Sequence, residues 1–422
     1  MILPGATLGI LGGGQLGRMF TIAARTMGYR VMVLDPDPIS PAGQVADLHL
    51  CADYRDETTL SKMGRDCAAV TTEFEIVPAQ TLRALALHCP VKPGAEAVEI
   101  AQNRVAEKSW LHAHDFATAP FAVVAAQAEI AAVCAQVGFP AVLKVSRFGY
   151  DGKGQVRVAS LDEAQAAFAA MGGEVCVLEK MLTLECELSV VLGRNESGSC
   201  ALYPVAENIH AAGILDTSIV PARVNEILAQ SVRDTAQSIA DQLGYCGVMA
   251  VEFFVVEGGQ LVVNEIAPRP HNSGHYTLDA CLTSQFEMQV RTLCNLPAGA
   301  PFQHPPAVMV PVPSRHRPRA IEEADRGPGR THIGWAPYKV LSGQGHEELH
   351  DLAQTGRRVH RHRRGNKPHA YRLGPWRVRL RAIAVLWNAV YVSSSMCMLQ
   401  RSRFDRLQRA GRQPASGTKA IG

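Results

Sequence analysis

Two glutamates stand where a carboxylate has least reason to be. Glu252 lies in Met-Ala-Val-Glu-Phe-Phe and Glu265 in Val-Val-Asn-Glu-Ile-Ala-Pro-Arg. Both segments read as strands, Gly247–Val256 and Gln260–Ile266, and the Glu-Gly-Gly turn between them predicts a hairpin with one acid on each arm. Carboxylates set in apolar strands need a cation, and oxygen ligands bridged to a triphosphate suit magnesium, although a pair of acids held by arginines fits the same pattern. Lys144, in Phe-Pro-Ala-Val-Leu-Lys-Val, poses the opposite problem: its ammonium would be costly to bury unpaired, so an anion such as a phosphate is expected beside it. Five residues later comes Gly149-Tyr150-Asp151-Gly152-Lys153-Gly154-Gln155. Its glycines would let backbone amides approach phosphates while Lys153 supplies charge; a solvated hairpin turn is the plainer alternative.

Three further segments carry polar chemistry. The predicted strand Val175–Glu179 runs into Lys180-Met181-Leu182, and its exposed edge could read an adenine while Glu187 holds ribose hydroxyls. After the hairpin, Arg269-Pro270-His271-Asn272-Ser273-Gly274-His275 could clamp a planar oxyanion and position a small acceptor. Near the start, Gly12, Gly14 and Gly17 satisfy G-x-G-x-x-G, with Asp35 where a ribose-binding acid would sit. That loop fits a dinucleotide, a sugar phosphate, or a tight turn with no ligand, because amides at a helix N-terminus bind any phosphate.

The elements that must position these residues begin with a β-α-β unit: strand Thr7–Leu11, helix Gln15–Met27 and strand Arg30–Leu34. A strand at Ala68–Thr72 leads into Glu73-Phe74-Glu75, and Pro78–His88 has helical spacing, giving a doubly wound domain over residues 1–95. Beyond it, Val98–His112 and Asn225–Leu243 read as helices and Ala141–Val145 as a strand. A second domain is expected over 96–300, with a glycine-rich lid subdomain at about 115–185, and residues 301–422 form a third region.

Composition limits the function classes. With 47% apolar and 19% charged residues the chain is not disordered. The eleven cysteines, spread from Cys51 to Cys397 without a C-x-x-C pair, read as reduced thiols in a reducing compartment. The first residues lack the basic region and cleavage site of a signal peptide, so a cytoplasmic location is expected. The uncharged segment Ala382–Gln400 is diluted by Asn388 and Ser393-Ser394-Ser395, and no membrane association is expected. The net charge of +3 hides an asymmetry: residues 1–310 hold 20 basic against 32 acidic residues, and residues 311–422 hold 22 against 7, with 19 of the 22 arginine. The tail lacks aromatic-interleaved or zinc patterns, so nucleic acid is not expected as a partner.

Lys144, the glycine loop, Glu187 and the strands carrying Glu252 and Asn264-Glu265 together resemble the ATP-grasp fold. The stretches Gly-Gly-Gly-Gln-Leu-Gly-Arg-Met near the start, Thr-Glu-Phe-Glu at 72–75, Gly-Tyr-Asp-Gly-Lys-Gly-Gln, Glu-Asn-Ile-His at 207–210, Gly-Ile-Leu at 213–215 and Ala-Pro-Arg-Pro-His-Asn-Ser-Gly-His narrow this. They resemble the 5-(carboxyamino)imidazole ribonucleotide synthase family of purine biosynthesis, over about residues 1–310. The resemblance implies an α/β protein, an ATP-grasp fold preceded by a doubly wound Rossmann-like domain, and a homodimeric ligase using ATP and Mg2+. In that family ATP phosphorylates bicarbonate to carboxyphosphate, which carboxylates the amine of 5-aminoimidazole ribonucleotide.

The resemblance further implies that Arg104, Lys144, Gly149, Tyr150, Asp151, Gly152, Lys153, Gly154, Gln155, Glu179, Lys180, Met181, Leu182, Glu187, His210, Asn264 and Glu265 bind ATP, with magnesium on Glu252 and Glu265. Tyr150, Asp151, Arg269 and His271 would act at bicarbonate and the aminoimidazole; Gln15, Leu16, Glu73, Asn272 and Ser273 would hold the ribonucleotide. The family pattern stops after Ala307–Val310, where Pro311-Val312-Pro313-Ser314-Arg315 begins a tail without the family's closing basic motif. Together with the charge swing, this reads as translation from a shifted frame, leaving only a remnant of the third domain. Competing readings are a related ligase activating formate or another carboxylate, a silent ATP-binding body with a basic nucleic-acid module, and a nicotinamide dehydrogenase built on the first glycine loop.

Overall fold

The apolar run Thr7–Leu11 forms strand β1, and the chain continues through α1 (Gln15–Thr26) and β2 (Arg30–Leu34) in the expected β-α-β order. This is a computed structural model, describing residues 1–147, 154–211, 213–311 and 338–342, all within the unit Met1–Arg357. The first domain is completed by β3 (Leu48–Leu50), α2 (Glu57–Asp66), β4 (Ala69–Thr72) and α3 (Ala79–Ala86). Its sheet has the order β3-β2-β1-β4, all parallel. The strands β1, β2 and β4 are buried along most of their length, which is why they read as continuous apolar runs.

The single helix expected over Val98–His112 is two, α4 (Ala95–Ala101) and α5 (Arg104–Ala113). Asn103 breaks it: in an extended conformation, its Oδ1 accepts from the amides of Val105 and Ala106 as an N-cap. The same Oδ1 accepts from the Ser146 hydroxyl at 2.6 Å. The start of α5, and with it Arg104, is thereby tied to the end of the strand that carries Lys144.

A second sheet combines β5 (Phe121–Val124), β6 (Ala141–Val145), β7 (Gln155–Val158) and β8 (Cys176–Lys180), with α6 (Ile130–Val137) and α7 (Leu161–Ala170) contributing to its core. The order is β5-β8-β6-β7. This corrects the reading of the strand at 175–179 as an exposed edge, since β8 lies between β5 and β6. The amides of Lys180 and Met181 bond to the carbonyls of Pro120 and Pro140.

The third sheet holds the hairpin. It is built from β9 (Leu184–Arg194), β10 (Cys200–Leu202), β11 (Ala206–Ala211), β12 (Ile214–Val220), β13 (Gly247–Val256), β14 (Gln260–Ala267), β15 (Ala307–Pro311) and β16 (Tyr338–Ser342). The order is β14-β13-β9-β11-β12-β15-β16, with β10 beside β9. One face packs against α8 (Glu226–Gln242) through Leu188, Leu192, Met249, Val251 and Phe253. On the other face, α9 (Thr277–Ala280) and α10 (Gln285–Leu293) cover Val191, Val248 and Ala250. The rest of that face, with Glu187, Glu252 and Glu265, is the floor of the site described below. Val290 and Leu293 of α10 also join the core formed by α1 and the first sheet.

Strand β16 lies beyond Val310, where the family pattern stops. Tyr338–Ser342 pairs antiparallel with all of β15, from Ala307↔Ser342 to Pro311↔Tyr338. The uncharged segment 382–400 and most of the basic tail lie outside the described residues. Among the described residues no helix is long and apolar enough to cross a membrane.

Candidate active site

The two glutamates of the hairpin stand directly opposite each other, Glu252↔Glu265, and Ser189 of β9 stands opposite Glu252 on its other side. Glu265 lies 3.2 Å from an Arg104 guanidinium nitrogen. Burial would raise its pKa, but Arg104, His271 and Lys144 hold it below the usual carboxylate value. Among the described residues Glu252 has no guanidinium at that range: burial and the charge of Glu265 push it up to about 7, while Asn264 Nδ2 donates to it at 3.2 Å and His271 Nε2 lies at 3.3 Å. Asn264 Oδ1 beside them is buried and has no hydrogen-bond partner among the described residues. A carboxylate pair of this kind with an orphaned carbonyl oxygen is a donor set that fits a hard cation. Among the described residues no three His, Cys, Asp or Glu side chains gather at metal-binding distance, so phosphate oxygens and water would complete such a shell.

Next to this pair lies a buried cluster of cations. Lys144 Nζ reaches Glu179 Oε2 at 2.9 Å and Lys108 Nζ lies 3.7 Å from the same oxygen. Burial alone would raise Glu179, but the two lysines win and hold it at about 2. Its other oxygen, Oε1, is buried without a partner among the described residues. Lys108 also donates to the Asn264 carbonyl at 2.9 Å, and burial lowers its pKa. Beside it Glu107, pushed up to about 8 by burial and by Glu265, accepts from the Ile266 amide at 2.5 Å. Glu187 of β9 lies 2.8 Å from His210 of β11. Burial would lower this histidine, but the carboxylate raises it.

Beyond Glu252 the chain turns into the second polar cluster. Arg269 clamps Glu75 of the first domain in bidentate fashion, at 2.5 and 3.3 Å. Burial would raise Glu75, and this guanidinium holds it low instead. His271 is neutral, lowered to about 4 by burial and Arg269, and His275 is lowered to about 3 by burial and the neighbouring His271. Asn272 is exposed, but Ser273 is buried with its hydroxyl between His271 and Ser189, so it is internal and not turned to a substrate.

At the first glycine loop both oxygens of Glu73 are occupied by the fold: Oε1 accepts from the Gly14 amide at 2.6 Å and Oε2 from that of Gly17. Asp35 is engaged likewise, by the Gly13 amide at 2.7 Å and the Tyr54 hydroxyl at 2.8 Å. A Cβ on Gly12, where φ is +101°, would collide with Glu73 and Phe74, and one on Gly14 would meet Glu73 Oε1 at 2.6 Å. These glycines admit the chain's own carboxylate to the helix N-terminus, where a dinucleotide would place its pyrophosphate. Leu16 is buried and Gln15 half-buried at the start of α1.

The structure therefore brings together Arg104, Lys144, Glu179, Glu187, His210, Glu252, Asn264, Glu265, Arg269 and His271. Gly149, Tyr150, Asp151, Gly152 and Lys153 lie outside the described residues. Gly154 and Gln155 sit where the loop re-enters the sheet, Gln155 opposite Lys144. Lys180 turns its ammonium to the Phe139 carbonyl at 2.7 Å, while the Met181 side chain is exposed and Leu182 half-buried. Sequence reasoning missed Glu107 and Lys108. Their signal was available: Lys108 is four residues after Arg104 on one helix, and so shares its inward face.

Comparison with known proteins agrees with this geometry. Residues 5–102 match the ribonucleotide synthetase preATP-grasp domain and residues 109–286 the ATP-grasp domain. The N5-carboxyaminoimidazole ribonucleotide synthase of Bacillus subtilis is 43% identical over 310 residues, 74% of this chain and 82% of the relative; that of Brucella melitensis is 44% identical over 308 residues, 72% and 85%. A crystal structure of an N5-carboxyaminoimidazole ribonucleotide synthetase with ADP superposes with TM-score 0.78 at 37% identity, covering 85% of this chain and 97% of that one. An Aspergillus clavatus N5-carboxyaminoimidazole synthase in complex with ADP and 5-aminoimidazole ribonucleotide superposes at 0.74 with 26% identity, covering 84% and 98%. On these grounds the chain belongs to the N5-carboxyaminoimidazole ribonucleotide synthase family of ATP-grasp enzymes.

Proposed function

We propose that this chain joins bicarbonate to the amine of 5-aminoimidazole ribonucleotide with ATP, forming N5-carboxyaminoimidazole ribonucleotide, ADP and phosphate. The observation that carries the reading is the Glu252–Glu265 pair, flanked by Arg104 and Lys144 on one side and by Arg269 and His271 on the other. One flank suits a triphosphate, the other a small oxyanion and an amine.

In this reading Arg104, Lys144, Glu187, His210 and Asn264 hold ATP, with Leu182, two residues past β8, meeting the base. Glu179 Oε1, which has no partner among the described residues, suits a donor on the same nucleotide. Glu252 and Glu265 hold Mg2+, which when bound neutralises phosphoryl oxygens. Arg104 and Lys144 stabilise charge on the γ-phosphoryl group as bicarbonate oxygen displaces ADP. Tyr150 and Asp151 of the glycine loop, residues 149–155, act at bicarbonate and the aminoimidazole, as the family resemblance implies. Arg269, fixed by Glu75, orients the carboxyl group for attack by the aminoimidazole nitrogen, which loses a proton as phosphate leaves. Glu73 supports the ribonucleotide side by ordering the start of α1, which carries Gln15 and Leu16. We place the enzyme in the cytoplasm as a homodimer, with domain limits near 95 and 300.

The test is ADP release by the full chain with each substrate omitted in turn. Release that depends on both bicarbonate and 5-aminoimidazole ribonucleotide is expected. Equal release with formate and glycinamide ribonucleotide would replace this reading with that of a related carboxylate-activating ligase.

A further inference from the structure

The Glu-Asn-Ile-His stretch at 207–210 contributes His210 to the nucleotide half, but its asparagine points elsewhere. Asn208 is 4% exposed on β11 and stands opposite Ser218 of β12. With Ser189 and Ser273 it forms a line of hydrogen bonds across the site floor: Ser218 Oγ to Asn208 Oδ1 at 2.8 Å, Asn208 Nδ2 to Ser189 Oγ at 2.8 Å, Ser189 Oγ to Ser273 Oγ at 2.7 Å, and Ser273 Oγ to His271 Nδ1 at 2.9 Å. All three serines are at most 1% exposed.

The direction of this line is fixed. The Ser273 main-chain amide, which can only donate, points at His271 Nδ1 at 3.3 Å. Nδ1 is therefore an acceptor and the ring proton sits on Nε2, which faces Glu252 Oε1 at 3.3 Å. The Ser273 hydroxyl must then give its one proton to Nδ1 and accept from Ser189. Ser189 in turn gives its proton to Ser273 and must accept from Asn208. Only the amide nitrogen of Asn208 can supply that bond, which leaves its oxygen for Ser218.

We propose that Asn208 is a positioning residue for the reaction, acting through Ser189 and Ser273 to hold His271 with its Nε2–H toward Glu252. The catalytic part of this statement rests on the reading that His271 borders the acceptor; the tautomer does not. An acid of the same shape in place of Asn208 would reverse the line. Its carboxylate could only accept, so Ser189 and then Ser273 would turn their protons toward it, and Nδ1 would lose the hydroxyl's bond and keep only that of the Ser273 amide, leaving the ring less firmly held.

The experiment is a two-bond 1H–15N correlation spectrum of the full chain labelled with 15N-histidine, the His271 signals being assigned by their loss in His271→Asn. The wild type is expected to show the Nε2–H tautomer with a hydrogen-bonded Nδ1, and Asn208→Asp the same tautomer with its Nδ1 resonance moved downfield, as an acceptor that has lost a bond. Ser218→Ala, which removes only the bond to Oδ1, keeps the wild-type tautomer. With 5-aminoimidazole ribonucleotide and bicarbonate, Asn208→Asp should lose roughly tenfold in kcat, the worth of one hydrogen bond, while its ADP dissociation constant stays within about twofold. An Nδ1–H tautomer in the wild type overturns the proposal even if no variant folds. So does an Nδ1 resonance in Asn208→Asp unchanged from that of the wild type, whether or not turnover falls. A chain with the expected tautomers but no carboxylation would leave the positioning intact and remove the proposed function instead.

Discussion

Glu73 gives one oxygen to the amide of Gly14 and the other to that of Gly17, whereas Glu252 and Glu265 face each other beside a buried Asn264 oxygen that has no partner among the described residues. The first region is a helix N-terminus of the sort that binds phosphate in many proteins, and here the chain fills it from within. In the second the fold leaves charges only partly answered: Glu252 is pushed up to about 7, and one Glu179 oxygen has no partner among the described residues. Motif spacing alone makes the glycine loop look like the better ligand site. Hydrogen-bond satisfaction ranks the two the other way, because a buried polar group is left unpaired only where something else completes it.

The most severe break in this comparison is Glu265→Gln. It keeps the side chain's shape but removes a charge that Arg104 and the proposed cation share. Turnover is expected to fall roughly ten-thousandfold, about 5.5 kcal/mol in barrier, with the circular dichroism spectrum unchanged. Wild-type turnover at saturating magnesium would remove Glu265 from the metal site. Glu179→Gln probes the same region through stability. Lys108 and Lys144, 1% and 12% exposed in their side chains, lose their shared counter-ion. Urea denaturation should show a loss of about 3 to 5 kcal/mol, as when one partner of a buried pair is removed. A loss below about 1 kcal/mol would mean that water reaches these lysines and that the cluster is not closed.

How much of this was legible in the sequence depended on range. The β-α-β start and the Glu252–Glu265 hairpin were readable because each is set by period and a local turn. The break at Asn103 was missed because helical apolar spacing runs on across it, and only the capping bonds show where one helix ends. Strand β9, central to the third sheet, was not read as a strand. Its site face carries Glu187 and Ser189, and its polar start hides the alternation. That β8 is interior could not be read at all, since the order of strands in a sheet is a property of long-range pairing. The line from Ser218 to His271 joins three strands and a loop, and no spacing in the sequence announces it.

The mildest test returns to Glu73 and asks how completely the fold satisfies it. Burial raises its pKa from the usual 4.5 to about 7, against the two glycine amides, which lower it. The folded state thus holds the proton more tightly than the unfolded chain does. The contribution to stability is fully present below pH 4.5 and is lost as pH rises through about 7, amounting to about 3 kcal/mol at 1.36 kcal/mol per unit. Glu73→Gln has no such proton to lose. Unfolding free energies of the two proteins from about pH 5 to about pH 8.5 should therefore diverge, the glutamine variant gaining about 2 to 3 kcal/mol on the wild type over that interval. Parallel curves would mean that Glu73 stays ionised throughout. The two amides and the helix N-terminus would then outweigh burial, and the glycine loop would be an anion site whose resident anion is this side chain.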